Sequence, residues 1–243
     1  MATTKERLHD VDAGNFGTPP GLSGDDFLTW FDLAAAVWLH KGKPTPDKPH
    51  GILTSCMCTD GYFDVPRLLS FTHIAELAGR QLVWNLLQAG VERSSVDWVV
   101  SSAYSAITFG HEVAKSLHAQ FGNVEKDPND PAGKRMLWRR LSIPEGARIL
   151  QAEELITTTG TTNEVRRAVE EGNPNPVIFL PIVGAFVLRP PKLPLEYGER
   201  RVVALIEREI HAFKPGPEDC PHCKVGSPRY KPKENWSELT GQA

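Results

Sequence analysis

The second half of the chain alternates between short apolar runs and stretches with helical periodicity. The apolar runs have the length and β-branched content of buried strands, and in chain order they read VDWVVSS, RILQAE, PVIFLPIV and RVVALIE. Apolar side chains recur at helical spacing after the first run in FGHEVAKSLHAQFG and after the second in NEVRRAVEEG, where Gly172 marks the end. Strands that alternate with helices of this length predict an α/β fold, with a mainly parallel sheet covered by helices on both faces.

The first half predicts two helices and a hairpin. Residues 27–40 and 73–88 repeat apolar positions at helical spacing, and the first helix follows a candidate N-cap at Ser23 or Asp25. Between these helices, HGILTSCMCTDGYFDV at residues 50–65 alternates and turns, which is typical of two short strands around a turn.

The ends of the chain differ in composition from its middle. Residues 1–22 are polar and contain glycine and proline, which predicts a loose N-terminal arm. Residues 23–213 carry all the periodic segments and are expected to form one domain. Residues 214–243 are rich in proline and charge, and we expect this C-terminal tail to pack on the domain as loop.

Composition excludes several classes of function. The chain has 243 residues, 40% of them hydrophobic, and a net charge of −3, so it can bury one substantial core. The near-neutral balance offers no electrostatic surface for nucleic acid or an anionic membrane. The longest apolar run, residues 177–188, is too short to cross a bilayer and contains Pro181. The first ten residues lack the apolar segment of a signal peptide, so a cytoplasmic location is expected.

The four cysteines form two close pairs, which raises the question of a zinc site. Cys220 and Cys223 stand in CPHC, a spacing used by zinc ligands, but a structural zinc needs four ligands and one pair supplies two. Cys56 and Cys58 complete the set only if the fold brings the tail back to the hairpin. The alternative, unligated thiols in a turn, is favoured by this ligand count.

Two acids and a threonine-rich turn stand between the second predicted strand and its helix. The stretch reads LQAEELITTTGTTNEV, with Glu153 and Glu154 before the turn. Ligands of parallel α/β sheets bind beyond the carboxyl ends of the strands, and a helix N-terminus suits a phosphate. Adjacent carboxylates suit vicinal hydroxyls as hydrogen-bond acceptors, so the pattern predicts a sugar phosphate. The alternative is a plain helix N-cap, which explains one threonine and one acid.

This stretch, together with others in the same order, resembles the type I phosphoribosyltransferases, and it is closest to the orotate phosphoribosyltransferases. The acids and the threonine turn look like the family's loop for phosphoribosyl diphosphate (PRPP), and residues 50–65 look like its N-terminal hairpin. DWVVSSAYSAITFGHEVAKSL is similar to its pyrophosphate loop and VEKD…KRMLWRRLSIPEGARIL to its flexible catalytic loop. VLRPP and EDCPHCKVGSPRYKP match a base-binding arginine and a cysteine-bearing tail. The resemblance covers about residues 50–232 and implies that family's fold, with a small hood formed by the terminal segments.

The resemblance also implies roles for individual residues. The ribose hydroxyls would be held by Glu153 and Glu154, and the 5-phosphate by Thr157, Thr158, Thr159, Gly160, Thr161 and Thr162. The diphosphate would accept backbone hydrogen bonds from Ala103, Tyr104 and Ser105. Cations of the mobile loop that reach the leaving group would be Lys126, Lys134 and Arg135. The base would face Phe63 and Arg189, with Thr157 near it.

The implied reaction is transfer of the phosphoribosyl group from PRPP, with Mg²⁺, to a nucleobase. Orotate is the expected acceptor, which gives orotidine 5′-phosphate and diphosphate, and a homodimer is expected from the family. No nucleic acid or membrane partner is implied.

Two alternatives stay open. SSAYSAI has Ser105 and Ala106 where the family usually has glycines, which favours a diverged regulator or partner subunit that binds PRPP or a nucleotide without turnover. A zinc-dependent interaction module built on the CPHC tail is the third hypothesis.

Overall fold

The computed structural model describes residues 21–241, so the expected N-terminal arm lies almost entirely outside the described residues. The helices are α1 (Gly24–Leu33), α2 (Val65–Leu69), α3 (Thr72–Gln88), α4 (Ala106–Leu117), α5 (Gly160–Gly172), α6 (Pro221–Lys224) and α7 (Trp236–Thr240), with a 3-10 turn at Arg93–Ser95. The strands are β1 (Val37–Leu39), β2 (His50–Ile52), β3 (Cys58–Thr59), β4 (Gly61–Phe63), β5 (Trp98–Ser101), β6 (Gln120–Asn123), β7 (Glu125–Lys126), β8 (Met136–Leu137), β9 (Arg148–Ile156), β10 (Ile178–Leu188), β11 (Arg201–Glu207), β12 (Ala212–Phe213) and β13 (Arg229–Tyr230).

A five-stranded parallel sheet forms the centre, with the strand order β11-β10-β9-β5-β6. The α/β prediction from the alternating runs is therefore confirmed. Side chains of a strand alternate between the two faces, so each apolar run supplies two cores. In β5, Val99 joins the core under α3 and α4, whereas Trp98 and Val100 join the core under α5.

Aromatic and aliphatic packing holds helices on both faces. On one face, Phe27 and Phe31 of α1 meet Phe186 of β10 edge to face, with ring centroids 5.2 and 5.5 Å apart. On the opposite face, Val165 and Val169 of α5 are buried in the core that contains Trp98 and Val100. This two-sided cover explains why the strands read as continuous apolar runs.

The expected helix over residues 27–40 is wrong in its second half. Ser23 caps α1 in a capping box with Asp26, but the helix ends at Leu33. Ala35 then adopts a φ of 50°, which reverses the chain. Residues 37–39 form β1 and pair antiparallel with β4, because Val37 and its neighbours can cover Phe63 only from an extended backbone.

The expected helix over residues 109–122 is also too long at its end. His118 has a φ of 59° and terminates α4, and residues 120–123 become β6 beside β5. Gly122 leaves room for the Trp138 ring, since a Cβ there would lie 2.4 Å from that ring. Tertiary packing therefore overrides the local helical pattern.

The hairpin and the tail together form the hood. β2 and β3 pair antiparallel, as expected. β12, which directly precedes the tail, and β13 within the tail extend the sheet on either side in the order β12-β3-β2-β13. Its strands are two or three residues long, so this sheet has few hydrogen bonds of its own.

Within residues 21–241, no helix is both long and apolar enough to cross a membrane.

Gly79 permits the close approach of α3 to α4. A Cβ at this position would lie 2.7 Å from the Cβ of Glu112 and 2.8 Å from its carbonyl carbon. Because one of these atoms belongs to the backbone, relief requires the two helices to move apart.

We expect Gly79→Ala to lower the free energy of unfolding by about 1–3 kcal/mol, because overpacking outweighs the helix propensity of alanine. Urea denaturation measures this change. Gln88→Ala, at an exposed position of the same helix, is the control and should shift stability by less than about 0.5 kcal/mol. A Gly79→Ala protein that is as stable as the parent would contradict the packing argument.

Candidate active site

The threonine turn joins the carboxyl end of β9 to the N-terminus of α5. Thr159 has φ −81° and ψ 0°, in the right-handed region, so a β-branched residue fits without strain. A Cβ at Gly160 would meet only Thr158 Oγ1, at 3.7 Å. Thr162 is buried, and its hydroxyl donates to the carbonyl of Thr159 over 2.9 Å. The outward-facing part of the turn is therefore Thr157, Thr158, Gly160 and Thr161.

Glu153 lies inside the protein rather than at the surface of the site. Its side chain is 1% exposed, and its carboxyl accepts hydrogen bonds from Ser102 Oγ at 2.5 Å and Gln151 Nε2 at 2.8 Å. Burial, with a further contribution from the charge of Glu154, raises the pKa of Glu153 to about 8. The carboxyl therefore joins β9 to the loop after β5.

Glu154 is the acid that faces open space. It lines a cleft beneath the hood and lies close to the hydroxyl of Ser105. Burial raises the pKa of Glu154, while the Ser105 hydroxyl and the Lys126 charge act in the opposite direction. The two adjacent acids thus point to opposite sides of β9, as strand periodicity requires.

The loop after β5 lies beside this acid pair. Ala103 is nearly buried, Tyr104 is 72% exposed, and Ser105 immediately precedes α4. Ala106 is fully buried in the first turn of α4. Serine and alanine therefore fit this loop: Ser105 turns its hydroxyl toward Glu154, while Ala106 packs inward.

A first cleft, of about 950 Å³, lies between the threonine turn and the loop that joins β7 to β8. It brings together the three predicted cations with the outer turn residues: Lys126, Lys134, Arg135, Thr158, Gly160 and Thr161. Asp130 shapes the loop by accepting the backbone N–H groups of Lys134 and Arg135, each at 2.7 Å. Among the described residues, neither Lys126 nor Lys134 forms a salt bridge, and both line the cleft. The Lys126 charge acts on Glu154 from a longer distance.

A second cleft, of about 590 Å³, lies under the hood and shares the Glu154 side of β9. It brings together most of the residues predicted to meet a base: Phe63, Arg189, Thr157 and Glu154. The sequence interpretation missed Lys231 and Lys233 of the tail, which also line it. Only the return of the tail to the hairpin places them there, and no local motif marks them.

Arg189 follows β10 directly and is 9% exposed. Its Nε has no hydrogen-bond partner, and no carboxylate of the described chain forms a salt bridge with it. Burial lowers the pKa of Arg189, with Tyr62 and Asp60 as the nearby groups that oppose this shift. Burying a guanidinium that lacks hydrogen-bonding partners costs free energy. An anion bound in the cleft would supply such a partner.

The fold brings the tail back to the hairpin, the condition on which a four-ligand cluster depends, although the ligand count favours unligated thiols. Cys58, Cys220 and Cys223 come together, but Cys56 is exposed and lies outside the group. His50 takes the fourth position. Cys56 adopts a φ of 63° in the tip of the hairpin, which turns it away from β3.

Curated orotate phosphoribosyltransferases are similar to this chain in sequence. The enzyme of Pelotomaculum thermopropionicum is 32% identical over 183 residues, which cover 75% of this chain and 87% of that protein. The enzyme of Caldicellulosiruptor bescii is 28% identical over 183 residues, with the same two shares. A scan of the chain against models of protein families finds no match.

Solved structures share the fold. Orotate phosphoribosyltransferase from Aeropyrum pernix aligns with a TM-score of 0.51 at 17% identity, over 74% of this chain and 92% of that one. UMP synthase of Leishmania donovani aligns with a TM-score of 0.52 at 15% identity, over 77% of this chain. The alignment covers 36% of that longer protein. Fold and sequence agree: the chain belongs to the orotate phosphoribosyltransferase family of pentosyltransferases.

Proposed function

We propose that this protein transfers the 5-phosphoribosyl group from PRPP to orotate, which yields orotidine 5′-phosphate and diphosphate. The observation that carries the choice of base is the buried guanidinium of Arg189, which lines the cleft under the hood, forms no salt bridge within residues 21–241 and has an Nε without a hydrogen-bond partner. The sequence relatives named for this activity support the same reaction.

Arg189 favours an acceptor that carries a carboxylate. A guanidinium binds a carboxylate through two parallel hydrogen bonds, and burial strengthens both. Uracil and the purine bases present no negative group of this kind, so they would leave the guanidinium buried and unpaired. Phe63 also lines this cleft, but its side chain is 4% exposed and its ring packs edge to face on Phe31 in the core, so little of the ring is accessible to a base.

The first cleft suits the phosphates of PRPP. Backbone N–H groups at the N-terminus of α5 and the threonine hydroxyls suit the 5-phosphate. Lys126 and Lys134, which lack salt-bridge partners among residues 21–241, suit the diphosphate leaving group. The loop that carries them borders both the cleft and solvent, so its closure would keep water from the reactive sugar.

Glu154 and a magnesium ion complete the proposed donor site. The Glu154 carboxylate lines the second cleft and is a hard oxygen group, which suits either Mg²⁺ or the ribose hydroxyls. When bound, Mg²⁺ would neutralise charge that develops on the diphosphate. Glu153, buried behind it, would hold the loop after β5 in place through Ser102.

Assembly as a homodimer and a cytoplasmic location belong to the same proposal. The dimer rests on the resemblance to the family described above. Size-exclusion chromatography with light scattering would test the dimer directly.

We expect the purified protein to release diphosphate from PRPP and Mg²⁺ with orotate, and not with uracil, adenine or guanine. Initial rates of diphosphate release measure this with each base in turn. Release with a different base alone would overturn the choice of acceptor. PRPP binding without release for any base would instead favour the diverged, non-catalytic alternative.

Arg189→Gln should raise the KM for orotate about 10- to 100-fold, the loss expected for a hydrogen-bonded charge pair, and leave the KM for PRPP within about twofold. Arg201→Gln, at an exposed position of β11, is the matched control and should change neither constant. Because the guanidinium has no partner in the free protein, Arg189→Gln should not lower the melting temperature. An unchanged KM for orotate would remove the basis of the acceptor assignment.

The free energy of unfolding should fall as pH rises from about 5 to 8, because Glu153 keeps a proton in the native state that it loses in the unfolded chain. The slope from this one group is at most about 1.4 kcal/mol per pH unit. Glu153→Gln, which keeps the side-chain shape, should remove that part of the slope and gain stability over the parent toward pH 8. Urea denaturation across this range measures both proteins, and parallel curves would contradict the buried neutral carboxyl.

A further inference from the structure

We propose that His50, Cys58, Cys220 and Cys223 bind a structural zinc ion that fastens the C-terminal tail to the hood hairpin. His50 and Cys58 lie on neighbouring strands β2 and β3. Cys220 is the N-cap of α6 in the tail, and Cys223 lies within that helix. The candidate ligand atoms of all four residues lie within 4.8 Å of one another. This inference does not depend on the proposed reaction.

The distances between the ligand atoms match a tetrahedral zinc site. Zinc lies about 2.3 Å from sulfur and 2.0–2.1 Å from imidazole nitrogen, so adjacent ligands of a tetrahedron are separated by about 3.5–3.8 Å. Cys58 Sγ lies 3.6 Å from Cys223 Sγ, and His50 Nε2 lies 3.6 Å from Cys223 Sγ and 3.9 Å from Cys220 Sγ. A disulfide has its sulfurs about 2.05 Å apart, so these thiols are spaced for a metal rather than for a covalent bond.

The histidine presents the correct nitrogen. Ser227 Oγ donates to the carbonyl of Lys48 at 2.6 Å, so its lone pairs are available to accept from His50 Nδ1, which lies 2.8 Å away. This places the ring proton of His50 on Nδ1 and leaves the lone pair of Nε2 toward the three sulfurs. Metal-binding histidines commonly donate their second nitrogen in this way, which fixes both the tautomer and the ring orientation.

The surroundings fit a closed structural site. His50, Cys58 and Cys220 are at most 1% exposed, and the ring of His222 stacks on that of His50 with centroids 5.0 Å apart. Four protein ligands leave no open position for a substrate, which is typical of structural zinc. Three thiolates and one imidazole favour zinc over the hard cations Mg²⁺ and Ca²⁺.

A zinc ion at this position would stabilise the hood. Its four strands are only two or three residues long, and β12 and β13 reach the hairpin from far along the chain. A metal bound by both segments would close this long loop and hold the small sheet together. Lys231 and Lys233, a few residues beyond the cluster, would then be held over the second cleft.

The test measures the metal content of the full-length protein after incubation with zinc and desalting. We expect about one zinc ion per chain in the parent, and at least about tenfold less in Cys220→Ser and Cys58→Ser. Cys56→Ser is the matched control, because Cys56 belongs to the same hairpin and lies outside the cluster. It should keep the full zinc content. A parent without zinc, or a Cys56→Ser protein that loses it, would overturn the proposal.

A second measurement tests the proposal even where the cysteine variants fail to fold. Cobalt(II) added to the metal-free parent should give the intense visible absorption of a tetrahedral ion, with thiolate-to-metal charge transfer in the near ultraviolet. A weak spectrum without charge transfer, as an octahedral oxygen site gives, would overturn the proposal whatever the variants do.

Discussion

The parallel pairing of β9 between β5 and β10 is the interaction on which the rest of the structure depends. Its register sets Gln151 beside Val100 on one side and Ala185 beside Glu153 on the other, so all three strands end at the same edge. The threonine turn, the loop after β5 and Arg189 follow directly from those ends. A slip of one residue in this register would exchange the directions of Glu153 and Glu154, so Glu154 would no longer line the second cleft.

Two titratable groups at this edge are buried without a charged partner among the described residues. Glu153 is buried with neutral donors alone, and Arg189 is buried with no carboxylate partner in the described part of the chain. Unfavourable groups of this kind concentrate at functional sites, where the ligand supplies the missing partner. Ser102 and Gln151 satisfy the Glu153 carboxyl. In the proposed function, Glu153 positions the loop after β5, and Arg189 binds the carboxylate of the base.

The sequence predicted those parts of the fold that local pattern determines. The four apolar runs became strands of the central sheet, and the acid pair and threonine turn lie at a strand end, because strand and cap signals are local. It failed where distant contacts decide the structure. Residues 37–39 became strand to cover Phe63, and residues 120–123 became strand to extend β5. Likewise, residue spacing alone could not identify His50, rather than Cys56, as the fourth member of the cysteine cluster. His50 is 170 positions from Cys220, and only the fold brings the two residues together.

We propose that the cleft under the hood binds a carboxylate-bearing pyrimidine. Orotidine 5′-phosphate and uridine 5′-phosphate differ only in that carboxylate, and isothermal titration calorimetry compares their affinities. We expect orotidine 5′-phosphate to bind at least about tenfold more tightly, because a charged, buried hydrogen-bonded pair contributes about 1.5 kcal/mol or more. Equal affinities for the two nucleotides would rule out a carboxylate-binding role for the cleft.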